Sequence, residues 1–146
     1  MNRIEIILII YFFHAISTLV HECGHLIAAK IGYNQFDELS VGNFFFIKIN
    51  DRIRISPIVL SGYVSIEQEK ILSASKIKTI CFFLMGICMN AIMIMVGIFF
   101  VRYYKIFLYF IIVNVIHMVT SIIPFGETDL GSLVKVLVYK NKYDDI

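Results

Sequence analysis

Leu19-Val20-His21-Glu22-Cys23-Gly24-His25-Leu26-Ile27 decides how this chain is read. Two histidines at i and i+4 stand one turn apart on one helix face, where their imidazoles can grip a single zinc ion, and Glu22 lies beside them as a general base. The stretch sits inside an apolar run from Ile4 to about Ile31, long enough to cross a bilayer as a helix. Ionisable groups are costly there, so each one is treated as functional.

Outward from that helix, Ile80 to Val101 and Ile106 to Ile123 are two further apolar spans. The expected fold is therefore mainly α: a polytopic membrane protein with three transmembrane helices, at about 4–31, 80–101 and 106–123. The first span has only Arg3 before it and no small-residue cleavage pattern after it, so it reads as a retained helix and not a leader. The insert at about 36–66 changes period. Phe44 to Ile49, then Asn50-Asp51, then alternating Arg52-Ile53-Arg54-Ile55 predicts a β-hairpin, and Ile58 to Val64 a further strand. These predict a small sheet at the membrane surface. Leu130, Leu133, Val134, Leu137 and Val138 keep helical spacing, which predicts a short amphipathic helix over about 130–139.

The 146 residues are 59% hydrophobic and 16% charged, composition for one membrane-embedded domain and not for a water-soluble globule. A net charge of +2, without basic runs, gives no electrostatic footprint for nucleic acid. Lys30, Lys48, Arg52, Arg54, Lys70, Lys76, Lys78, Lys135, Lys140 and Lys142 fall on one side of a three-span topology, and Arg3, Arg102 and Lys105 on the other. Under the positive-inside rule this puts the N-terminus outside and the insert and C-terminus in the cytoplasm of a bacterial-type plasma membrane. Cys23, Cys81 and Cys88 are an odd set within apolar stretches and are expected to be small core residues.

Polar residues recur inside the spans. His14 and Thr18 continue the face of His21, and Asn114, His117 and Ser121 share one face of the third span, so together they are candidates for a polar channel. His14 lies about 10 Å of rise from His21, too far for the same ion, and reads first as an interior histidine bonded to a neighbouring helix. Asn90, deep in the second span, needs a partner and reads as interhelical glue. Gly86 and Gly97 there are candidates for close helix packing between copies. A catalytic zinc usually holds three protein ligands. Asp129 or Glu127, in the broken backbone after Pro124, can supply the third, with His117 a further candidate.

In their order these motifs resemble the site-2 protease family of intramembrane zinc metalloproteases, over nearly the whole chain. His21-Glu22-Cys23-Gly24-His25 resembles the family's H-E-x-G-H, and Ile53 to Val64 its strand leading into a G-G-Y-V turn. Gly86 to Asn90 is similar to G-P-x-x-N with Ile87 in place of proline, and Asn114 stands where the family has an asparagine. The last motif resembles N-x-x-P followed by D-G, with Ser121 at the asparagine, Pro124 at the proline, Asp129 at the aspartate and Leu130 where glycine is usual. The resemblance implies one zinc ion per chain on His21, His25 and Asp129, water activation by Glu22, and support of substrate or transition state by Asn90, Asn114 and Ser121. The exposed strand through Ile55, Gly62 and Tyr63 is expected to pair with an extended substrate by β-augmentation.

The activity so implied is cleavage of a peptide bond in or beside a transmembrane or signal-like helix, with the lipid bilayer as surroundings. The resemblance leaves no length for a PDZ or nucleotide-binding domain. Substrate choice is then expected to rest on the core, on a partner protein, on a second copy, or on substrate length. Two rival readings are a zinc-binding pseudoprotease that holds membrane peptides, suggested by Ser121 and Leu130, and a metal carrier.

Overall fold

A computed structural model of the chain describes residues 2–144, and its described side chains end at Asn141, so Lys142 of the charge count lies outside them. Helix α1 (Arg3–Tyr33) opens with a capping box, in which Asn2 Oδ1 accepts from the Glu5 amide and Glu5 Oε2 accepts from the Asn2 amide. It closes at Asn34 in the left-handed region, φ 59°. At 1.5 Å per residue it is about 46 Å long, more than the roughly 30 Å hydrocarbon core of a bilayer.

Strands β1 (Glu38–Val41), β2 (Ile47–Asn50), β3 (Ile53–Ile55) and β4 (Gly62–Ser65) form one sheet in the order β2-β3-β1-β4. The expected hairpin is β2–β3, with a register shift at Lys48/Asn50 and a turn closed by Asn50 Oδ1, which accepts from the Arg52 amide at 2.8 Å. The helices α2 (Gln68–Ser73), α3 (Lys76–Val101), α4 (Phe107–Ile122) and α5 (Asp129–Asp144) complete the described chain. α1 and α3 are long and apolar enough to cross a membrane; α4 is apolar but shorter.

Several expectations are corrected. The run Ile58–Val64 becomes a strand only at Gly62, because the backbone before it bonds to side chains. Tyr11 on α1 donates to the Pro57 carbonyl at 2.9 Å and accepts from the Val59 amide at 3.0 Å, while Asn43 Oδ1 accepts from the amides of Leu60 and Ser61. Strand β1 and helix α2 were not expected. Leu39, Val41 and Val59 bury against Ala15 and Leu26 of α1, so the sheet lies alongside the middle of that helix and not beyond its end. The C-terminal helix extends well past residue 139. Cys81 and Cys88 are exposed and Cys23 is half-buried; none is a core residue.

Burial runs opposite to that of a water-soluble protein. On α1 the buried residues include Ser17, Thr18, His21, Glu22 and His25, while Ile4, Ile7, Leu8, Phe12 and Leu19 are exposed. An apolar exterior around a polar interior is what a lipid solvent selects.

Helices α1 and α3 touch where side chains are absent. A Cβ on Gly24 would lie 2.7 Å from the Met85 carbonyl oxygen, a backbone atom that cannot swing aside. Gly24→Val is expected to cost about 1–3 kcal/mol through overpacking and to lower the thermal midpoint in detergent. Gly32→Ala, whose nearest neighbour would be Lys78 Cβ at 3.9 Å, is expected to leave that midpoint unchanged or raise it.

Candidate metal centre and active-site cleft

The i, i+4 spacing brings His21 and His25 onto the inward face of α1, both about 95% buried, with their Nε2 atoms 3.1 Å apart. Asp129, the first residue of α5, reaches them from the other end of the chain: Oδ2 is 3.0 Å from Nε2 of His21 and Oδ1 is 3.1 Å from Nε2 of His25. Of the two acids left open by spacing, Asp129 is therefore the one in contact. Glu127 lines the cleft outside the cluster, and His117 stands apart from it.

The far side of each ring is anchored. His25 Nδ1–H donates to the Phe82 carbonyl at 2.8 Å, and since a carbonyl only accepts, Nε2 keeps its lone pair. His21 Nδ1 is 2.9 Å from the fully buried Asn90 amide. Nδ2 of that amide faces the ring while its buried Oδ1 has no partner; turned over, Oδ1 accepts from Nδ1–H and leaves the Nε2 of His21 a lone pair as well, the state metal ligation requires. Asn90 thus sits behind a ring, not in the cleft. Asn114 is likewise fully buried, its amide donating to the Phe110 carbonyl at 2.9 Å. Of the three residues expected to support substrate, only Ser121 lines the cleft.

Glu22 is also buried, with Oε2 lacking a hydrogen-bond partner, and strand β4 passes directly over it. A Cβ on Gly62 would lie 2.7 Å from Glu22 Cγ, so only glycine lets the strand come this close. Tyr63 points away, its hydroxyl donating to Glu38 at 3.0 Å. Of the strand positions expected to meet substrate, Ile55 is corrected: β3 is an interior strand, and Ile55 pairs with Val41 on one side and Ile47 on the other. Gly62 and Tyr63 belong to β4, an edge strand. The glycines of α3 also turn inward. A Cβ on Gly86 would collide with His25 Nε2 and lie 2.6 Å from His21 Nε2, and one on Gly97 would lie 2.6 Å from Ile111, so both close approaches occur within one chain.

A cavity of about 670 Å³ runs from Asp129 along the groove between α1 and α4, with Leu60, Ser61 and Gly62 on its rim. His14, Thr18, His117 and Ser121 line it, as expected of a polar channel, and Asn114 does not. α5 is held by Lys140, whose Nζ donates to the Ala74 carbonyl at 2.7 Å and to Thr79 Oγ1 at 2.6 Å, and by Lys135, which donates to the Gly126 carbonyl at 2.8 Å. No local signal in the sequence marks Tyr11 or Lys140 for these tasks, whereas Gly62 stood in the stretch that resembles the family's G-G-Y-V turn.

The model of Peptidase family M50 matches residues 8–141. The chain belongs to that family, the site-2 proteases. No curated protein matches it. M50 membership makes this chain a membrane protein and a protease, of a family that is zinc-dependent and acts within membranes.

The donor set in this M50 chain fits zinc. A tetrahedral ion with ligands at about 2.0–2.1 Å separates neighbouring donors by roughly 3.3 Å, and the three contacts here are 3.0, 3.1 and 3.1 Å. Replacing Asn90 with Ala is expected to weaken zinc binding about 10- to 100-fold, read by competition with a chromophoric chelator. Gly86→Ala, which sets a methyl group against both imidazoles, is expected to abolish it.

Proposed function

We propose that this chain is an intramembrane zinc endopeptidase that hydrolyses a peptide bond within or next to a transmembrane or signal-like helix of a small membrane protein or peptide precursor. The observation that carries the reading is the meeting of His21, His25 and Asp129 beside a buried, unpartnered Glu22 oxygen at the head of a long cleft. His21, His25 and Asp129 would hold the ion. Bound zinc supplies Lewis acidity, polarising the scissile carbonyl and easing loss of a proton from water. Glu22 accepts that proton at its carboxylate and passes it to the leaving amide nitrogen. Among the described residues no strand pairs with the outer edge of β4 beside Glu22, which offers backbone groups to an extended substrate. Ser121 lies on the cleft wall, within reach of the same segment.

The reading includes a three-span topology in which the shorter α4 crosses with α1 and α3. Ten basic residues lie on the side of the insert and tail against three on the other, which supports a cytoplasmic C-terminus and an active site near that face. The turn after Pro124 supports catalysis despite Leu130. A Cβ on Gly131 would lie 2.9 Å from Thr128 Oγ1 and 3.0 Å from the Phe125 carbonyl, so Gly131 fills the structural need for a small residue there.

Purified in detergent, the parent is expected to carry one zinc per chain, lost or weakened in both His25→Ala and Asp129→Ala. Glu22→Gln is expected to keep zinc and lose cleavage of a transmembrane peptide by at least about 100-fold. Zinc retained by Asp129→Ala would refute the ligand set. Full zinc with no cleavage by the parent would favour a pseudoprotease that only holds peptides.

A further inference from the structure

Beyond the metal donors the cleft wall carries a second polar group. His14, about 10 Å before His21 along α1, meets His117 of α4, with His117 Nε2 2.8 Å from His14 Nδ1 and His14 Nε2 3.3 Å from the Leu60 carbonyl oxygen. A carbonyl only accepts, so His14 carries its proton on Nε2, its Nδ1 accepts, and His117 Nε2–H is the donor. The neutral His117 is left with a lone pair on Nδ1, and the two contacts above account for the hydrogen bonds of the pair among the described residues. Between this pair and the metal donors, Thr18 lines the cleft at 3% exposure, its Oγ1 buried without a partner. The neighbouring wall is aliphatic, with Ile10 and Ile116.

We propose that His117, oriented by His14, and Thr18 form a side-chain subsite that takes a hydrogen-bond donor, the carboxamide or hydroxyl of an Asn, Gln, Ser or Thr in an otherwise apolar substrate segment. The proposal rests on the peptidase reading and specifies its substrate. A carboxylate is excluded, since it would set its own lone pairs against that of Nδ1. A metal ion is also disfavoured, because among the described residues no third His, Cys, Asp or Glu donor joins the two imidazoles. An extended peptide rises about 3.3 Å per residue, so the subsite reads the residue about three positions from the scissile bond.

The experiment walks a single Asn along a Leu/Ala transmembrane peptide in detergent micelles and maps the cut by mass spectrometry. The cut is expected to move with the Asn at a spacing of about three residues, and to stop following it in His117→Phe. Asp in place of Asn is expected not to direct the cut. A second arm needs no turnover: zinc-loaded Glu22→Gln is expected to bind the Asn peptide about three- to tenfold tighter than the all-apolar one. That preference is expected to vanish with His117→Phe and to return in part with His117→Gln, which restores an acceptor; zinc content reports the fold of each variant. A cut that ignores the Asn, equal binding of the two peptides, or a preference that survives His117→Phe overturns the subsite. If the parent cuts no peptide, the peptidase reading fails, while the binding arm still decides the subsite.

Discussion

Two imidazoles one helical turn apart can be buried only if the helix that crosses them offers no side chain at the crossing. Gly86 meets that constraint, since any Cβ there would occupy the space of both rings. The consequences spread outward. With α3 this close, the Phe82 carbonyl and the Asn90 amide fall within 2.8 and 2.9 Å of the two Nδ1 atoms and fix the rings from behind. With the rings fixed, their Nε2 atoms face the one direction from which Asp129 arrives. Gly24, the residue before His25, repeats the arrangement against the Met85 backbone.

Much of this was legible in the sequence where the signal was local. The H-E-x-x-H spacing, the apolar runs and the alternation about Asn50-Asp51 each depend on residues a few positions apart, and each found its element. Signals that depend on distant partners were not legible. Strand β1, Glu38-Leu39-Ser40-Val41, alternates over only four residues, and its place depends on β3 pairing with it in parallel and β4 antiparallel. Interior placement of Ile55 follows from that order, which no spacing encodes. Asn90 was readable as an amide needing a partner, yet not as the partner of His21, 69 residues away. The cysteines were misread by a rule made for water, because a membrane-embedded helix gains nothing from taking an apolar thiol away from hydrocarbon.

The same inversion explains where the cleft lies. Exposed aliphatic side chains cover the outside of α1 and α4, while their polar residues turn toward each other and toward the Leu60–Gly62 segment. A polar group left alone in hydrocarbon costs several kcal/mol, so the groups gather, and the space among them is where a peptide backbone could be hydrated or bonded. Tyr11 draws the insert into this arrangement by spending its hydroxyl on two backbone groups of the segment preceding β4.

The donor cluster is divided between α1, which holds His21 and His25, and α5, which holds Asp129. A growing chain therefore has no complete centre until α5 emerges, and Lys140, eleven residues beyond Asp129, must follow before that helix is fastened to Ala74 and Thr79. Biosynthesis therefore orders these events: a polypeptide that stops short of α5 carries the histidines and the glutamate but lacks the aspartate, and holds two of the three donors.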